Sequence, residues 1–270
     1  MAAKLPPKVQ LRVEQTLDQY SHWQVDSSLP ERPEAVRLLS GGRSNFSLKA
    51  SAAEQHFVIR VDGPNIRRLG LNRKLEWHVQ LSAWRRGLAP RPVYFNPELG
   101  VLVSRYCEAE SWHAQPEVEL GQVAELLRRI HALPAVKYRL QPLDRARHYA
   151  GLLHQGALPK TFESLCLRLQ RTAITCLCHN DLLRANRLYS GGQLLALDWE
   201  YAAMGDPWFE LAVICEGDAL GDDQRRQLLT RYLSREPGRK QWQRLSDYCR
   251  VYGYLTELWE RITEATELAR

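Results

Sequence analysis

No stretch of this 270-residue chain approaches 18 consecutive apolar residues, so no membrane span is predicted. The opening residues, MAAKLPPKVQLRVEQ, lack an apolar h-region, and a cytoplasmic protein is expected. The six cysteines (Cys107, Cys166, Cys176, Cys178, Cys215 and Cys249) form no CxxC pair and no zinc-like rhythm. Reduced, mostly buried thiols are therefore expected. Internal repeats and low-complexity tracts are also missing. With 14 prolines, 16 glycines, 44% apolar and 25% charged residues, disorder and collagen-like structure are excluded. The length suffices for one large domain or two lobes with proper cores.

Charge of one sign is not dominant either. The net charge of +6 is too mild to imply a nucleic-acid partner. Twelve Lys and Arg stand against five Asp and Glu between Glu31 and Arg91, so the excess is local. It marks either a solvated basic face or a region that meets an anionic ligand.

Periodicity divides the chain in two. Val9, Val13, Leu17 and Tyr20 predict a helix over 9–20, followed by a turn-rich linker. AVRLLS, NFSLKA and HFVIRV read as three short strands, with Phe57, Ile59 and Val61 alternating at period two. A helix over Leu69–Arg86 stops at Gly87, and PVYF and VLVSRY give two more strands. Beyond Cys107 the pattern is mainly helical: Glu117–His131, Arg145–His154, Phe162–Arg171, Asp222–Tyr232 and Gln241–Leu268. Between Cys176 and Ala203, RLY and LLAL flank Gly191-Gly192 as in a hairpin.

The polar residues gather beside that hairpin. CHNDLLRANRLYSGGQLLALDWEYAAMGDPWFELA, residues 178–212, places His179, Asp181 and Asn186 on one loop and Asp198 at the end of a strand. The hairpin folds Asp198 back toward Asn186, and the two offer hard oxygen ligands suited to Mg²⁺ held with substrate phosphates. Asp181 remains as a base. This spacing suits phosphoryl transfer, in which a loop Asp takes a hydroxyl proton while an Asn five residues on and a distant Asp hold the metal.

HNDLLRAN and LDWEYAAMGDPWFELA, with LRRIHALP at 127–134, resemble the choline kinase, thiamine kinase and aminoglycoside phosphotransferase superfamily, distant relatives of protein kinases. The resemblance covers roughly residues 35–260 and leans toward choline kinase-like and thiamine kinase-like members. It implies an α+β, bilobal protein-kinase-like fold: a small mixed N-lobe with an antiparallel sheet and one helix, and a larger, mainly helical C-lobe. Residues 1–106 would form the leading helix and nucleotide-binding lobe, and residues 107–270 the catalytic and substrate-binding lobe. ATP and Mg²⁺ are the implied cofactors and a small-molecule alcohol the acceptor; the oligomeric state is left open.

The resemblance also distributes roles. Asp181 is the implied catalytic base, His179 is a second catalytic candidate that either supports its loop by hydrogen bonding or transfers protons, and Asn186 and Asp198 hold the metal. LLSGGRSNFSLKA would be the glycine-rich turn over the phosphates, with Gly41 and Gly42 admitting close approach and Ser44 and Asn45 adding donors; a plain turn is the alternative. Arg60 occupies the place of the phosphate-binding lysine, and a guanidinium makes bidentate contacts there. Glu76 would orient Arg60, or be an exposed helix charge. Cys107 and Glu108 would follow VLVSRY into the hinge that reads adenine.

Departures from the pattern are Arg60 itself, Arg187 where an apolar residue is usual, and Trp199-Glu200 in place of Phe-Gly. Glu200 would face substrate or merely be hydrogen-bonded, and Asp206 would hold the catalytic loop from below or cap the helix after it. A cationic alcohol such as choline or thiamine would need aromatic faces and acidic groups. Trp112, Trp208, Tyr248, Tyr252, Tyr254, Trp259, Glu216, Asp218 and Glu257 are available as a cage or as core. An amino sugar or aminoglycoside is the alternative acceptor, and an inactive nucleotide-binding module the alternative to an enzyme. A metal-dependent hydrolase is disfavoured, because His179 and Asp181 lack further metal ligands nearby.

Overall fold

The computed structural model describes residues 5–39, 45–63, 69–110 and 116–267. The chain divides into two compact units, Met1–Ala109 and Glu110–Arg270. None of the helices among the described residues is long and apolar enough to cross a membrane.

In the first unit, α1 (Pro7–Asp18) begins at a proline, whose fixed φ suits a first helical position where no N–H is needed. Its buried stripe of Val9, Val13 and Leu17 packs, with Trp23, on Phe57, Ile59, Val61, Val101 and Val103. Those residues belong to an antiparallel sheet of β1 (Glu34–Leu38), β2 (Asn45–Ala52), β3 (Gln55–Asp62), β4 (Pro92–Asn96) and β5 (Val101–Arg105), in the order β1-β2-β3-β5-β4. Alternation on β3 sends Phe57, Ile59 and Val61 into this core, so Arg60 points to the opposite face. There it meets Glu76 of α2 (Arg73–Trp84). Asn72 fixes the start of α2, its Oδ1 accepting the Leu75 N–H at 3.0 Å. The helix therefore begins four residues later than its apolar pattern, which opens at Leu69.

The second unit carries α3 (Pro116–His131), α4 (Pro142–Leu152) and α5 (Lys160–Gln170), then two small antiparallel sheets. β6 (Cys176–Cys178) pairs with β9 (Ala203–Gly205), and β7 (Arg187–Ser190) pairs with β8 (Gln193–Ala196). Gly191 and Gly192 close the second hairpin with φ of +59° and +74°, the left-handed pair that a two-residue turn requires. The helices α6 (Pro207–Gly217), α7 (Asp222–Leu233) and α8 (Arg239–Glu267) complete the unit, with α6 packed on α8 and α3 on α7.

Helix α6 is absent from the periodicity reading. Residues Pro207 to Cys215 are all buried, and a helix apolar around its whole circumference has no 3.6-residue stripe to read. Its start is set by Asp206, which accepts the Trp208 N–H at 3.0 Å and the Ile174 N–H at 3.1 Å and pairs with Arg244 of α8. Of the two roles expected for Asp206, the cap is the one these bonds describe; it ties α6, α8 and the approach to β6 together. Asp206→Ala should lower the unfolding free energy by about 3 kcal/mol, the sum of a lost cap and two buried partners left unmatched. Urea denaturation measures this, and a loss under about 1 kcal/mol would contradict it.

Candidate active site

The loop between β6 and β7 hangs from one buried carboxylate. Glu210, fully buried on α6, accepts the backbone N–H of His179 at 2.9 Å and of Asn180 at 3.1 Å on Oε1. Its other oxygen, Oε2, lies 2.7 Å from His131 Nε2 at the end of α3. The loop-holding role expected of Asp206 thus falls to Glu210, four residues further on. Burial would depress the His131 pKa, but the hydrogen bond and charge of Glu210 outweigh it and raise the value above that of a free imidazole. Glu210 carried one signal in the sequence, a lone acid inside an apolar run.

His179 is fully buried, its ring centroid 4.7 Å from that of Trp199. Its Nε2 donates to the Leu197 carbonyl at 2.8 Å, which joins the loop to the strand end preceding Asp198. This is a positioning geometry, with the ring sealed from solvent.

Asp181 and Asn186 meet directly. Asn186 Nδ2 donates to the Asp181 carbonyl and to Asp181 Oδ2, both at 2.8 Å. Pointing its NH₂ group at Asp181 turns the Asn186 acceptor oxygen the other way. The Leu197 N–H donates to the Asn186 carbonyl at 2.8 Å, continuing the hairpin register beyond Arg187 and Ala196 to the residue before Asp198. Asp198 and Asn180 both have left-handed backbones, φ +58° and +65°, in residue types that tolerate the conformation at some cost. The Asp181 carboxyl is pushed well above the ordinary range, first by burial and then by the charges of Asp198 and Glu200, against the Asn186 hydrogen bond. Glu200 is itself buried. Asp198 and Glu200 thus lie close enough to Asp181 for their charges to act on it.

The first unit carries a second buried network. Glu76 is 1% exposed and pairs with Arg60 and, at 2.7 Å, with Arg73. Arg73 also reaches Asp62 at 2.6 Å and Asn45 Oδ1 at 2.9 Å. Glu76 is therefore no exposed helix charge, and Asn45 is drawn into the same network. Arg73 went unnoticed in the sequence, although its i,i+3 spacing to Glu76 was visible. Gly41, Gly42 and Ser44 lie outside the described residues, as does Trp112.

Of the remaining aromatic candidates two are core, and Tyr252, Tyr254 and Trp259 are half-buried. Trp208 and Tyr248 are buried, Phe209 packs on Tyr248 and Tyr252, and Tyr254 stacks on Phe162. Glu216 pairs with Arg225, and Asp218 with Arg187. That last pair, sealed on both sides, accounts for Arg187: Asp218 neutralises it and also accepts the Arg184 N–H at 3.0 Å, fastening the loop to the end of α6.

The architecture is shared with choline kinase LicA from Streptococcus pneumoniae, at a TM-score of 0.73 and 19% identity over 94% of this chain and 90% of that one. The fold is thus that of the protein-kinase-like small-molecule kinases. The chain belongs to the phosphotransferase enzyme family, which residues 35–248 match. Protein LicA of Haemophilus influenzae is 29% identical over 71% of this chain and 61% of its own length. A thiamine kinase of Escherichia coli O1:K1 is 35% identical over 74% of this chain and 72% of its own.

Glu76 supplies a pH test. Burial alone would raise its pKa, yet the charges of Arg60 and Arg73 outweigh burial and lower it. Its stabilisation is then complete above the unfolded value near 4.3 and is lost as pH falls through the lower folded value. Glu76→Gln should cost about 3–5 kcal/mol at neutral pH by leaving two buried guanidiniums unpaired. The variant should also show a flatter acid limb in stability measured by denaturation against pH; an unchanged limb would refute the pairing.

Proposed function

We propose that this chain is an ATP-dependent kinase that phosphorylates the hydroxyl of a small metabolite, with a cationic alcohol such as choline or thiamine as the leading acceptor. The observation that carries the reading is the Asp181–Asn186 contact, which fixes a carboxylate and an amide beside Leu197, the residue that precedes Asp198. Family membership supports the reaction class, and similarity to a LicA protein and a thiamine kinase supports the acceptor class.

Asn186 through its acceptor oxygen and Asp198 through its carboxylate would hold Mg²⁺, two hard oxygen donors of the kind that ion prefers. When bound, the ion would neutralise phosphate charge. The acceptor hydroxyl attacks the γ-phosphorus, the bond to the bridging β–γ oxygen breaks, and ADP leaves. The hydroxyl proton passes to Asp181 Oδ1, because Asn186 occupies Oδ2. In the first unit Arg60, aimed by Glu76, is assigned the phosphate contact, with Gly41, Gly42, Ser44 and Asn45 as the phosphate turn. Positioning and charge neutralisation supply most of the catalysis.

ADP release measured over choline, ethanolamine, thiamine, amino sugars and aminoglycosides should respond to a quaternary or primary ammonium alcohol. Response to carbohydrates alone would overturn the acceptor class in favour of an amino sugar, and Mg²⁺-dependent nucleotide binding with no turnover on any alcohol would overturn the enzyme. Asp198→Ala should reduce turnover by at least about 10³-fold with the circular dichroism spectrum retained, and Asp181→Asn by about 10²–10⁴-fold, the range for a positioned base. Retained turnover in Asp198→Ala would sink the assignment.

A further inference from the structure

We propose that Cys176, Cys178 and His131 form a binding site for one soft divalent cation, Zn²⁺ in the first instance, where β6 leads into the catalytic loop. Alternate positions of a strand share a face, and β6 sets the two sulfurs side by side, 3.7 Å apart. A disulfide would need about 2.05 Å. Two thiolates on tetrahedral zinc, each bound at about 2.3 Å, lie about 3.8 Å apart. The strand thus already holds the sulfurs at the separation of a metal chelate.

His131 completes a triangle, its ring nitrogen and both sulfurs all lying within 4.8 Å of one another. Its Nε2–H is directed at Glu210 Oε2 at 2.7 Å, the carboxylate–imidazole arrangement that commonly supports a metal-bound histidine. With Nε2 engaged by Glu210, Nδ1 is the nitrogen left to ligate, and metal binding there would displace any proton it carries. Nδ1 now accepts the Tyr232 hydroxyl at 2.9 Å, and a rotation of that hydroxyl releases it. Two sulfurs and one imidazole select Zn²⁺ or Cd²⁺ over Mg²⁺ and Ca²⁺. Cys176 and His131 are only partly buried, so water can take the fourth position. Binding forms two metal–sulfur bonds and one metal–nitrogen bond and releases two thiol protons to solvent.

The site is independent of the kinase reading, since it shares no ligand with Asn186 and Asp198. It does share Glu210, which orients His131 with one oxygen and holds the His179 and Asn180 amides with the other.

The full chain, stripped with a chelator and kept in excess Mg²⁺, should be titrated with Co²⁺ and then with competing Zn²⁺. Near-ultraviolet thiolate-to-cobalt charge transfer reports sulfur ligation, which an oxygen site cannot produce. One equivalent per chain is expected, displaced by Zn²⁺, with binding weakened more than about tenfold in Cys176→Ser and in His131→Gln and unchanged in Cys249→Ser. Absence of the band, or equal affinity in Cys176→Ser, would overturn the site. A second measurement needs no substitution: one equivalent of Zn²⁺ should slow alkylation of Cys176 by iodoacetamide more than tenfold by peptide mass spectrometry, and an unchanged rate would overturn the site equally.

Discussion

The carboxylate of Glu210 is the constraint on which the second unit's chemistry depends. A fully buried charge costs several kcal/mol of lost hydration, and only good geometry offsets it. Here two backbone amides and an imidazole face its two oxygens. The amides belong to His179 and Asn180, immediately before Asp181, so desolvating Glu210 is tolerable only when the loop adopts this path. Asn180, with φ +65°, is held in a conformation it would otherwise leave. The His131 contact extends the same constraint to α3.

The first unit solves a parallel problem with opposite emphasis. Glu76 is as deeply buried, yet its partners are the guanidiniums of Arg60 and Arg73 rather than amides. Two cations on one carboxylate would leave one positive charge, which Asp62 balances through Arg73. Arg60 and Arg73 are thus matched by Glu76 and Asp62 in one buried charge network. The basic excess between Glu31 and Arg91 is in this respect specific: Arg60 and Arg73 lie inside the fold, whereas Arg32 pairs at the surface with Glu14 and Asp18.

What could be read in the chain follows from the range of each interaction. Asp181 and Asn186 are five residues apart, and Gly191-Gly192 announces the turn that carries Asp198 back, so these residues were legible together. The amphipathic helices and the alternation on β3 are equally local. Glu210 lies 31 residues from His179, and Asp218 31 from Arg187; no short-range pattern links such partners. Helix α6 shows no periodicity for a related reason, since burial on every side erases it, and only the Asp206-Pro207 cap announces it. Cys176 and Cys178 were read as scattered buried thiols because zinc motifs are recognised by two-residue gaps, while a strand brings side chains together across a one-residue gap. Their relation to His131 exists only after α3 has packed near β6.

The departures at Trp199 and Arg187 stiffen the site. Trp199 is fully buried, its indole N–H on the Ala196 carbonyl at 3.1 Å and its ring against His179. His179 in turn bonds the Leu197 carbonyl. The residue before Asp198 and the residue after it are therefore both fixed, and the left-handed backbone of Asp198 is imposed from its two sides. A Phe-Gly sequence would leave the second side free to rotate, whereas Trp199 begins a short helical turn through Tyr201. On the loop side, Arg187 and Asp218 do for Asn186 what Trp199 does for Asp198. Both proposed metal ligands are held by their chain neighbours, so the carboxylate and amide oxygens are positioned by the fold before any cation arrives, and the reorganisation that binding would otherwise require is small.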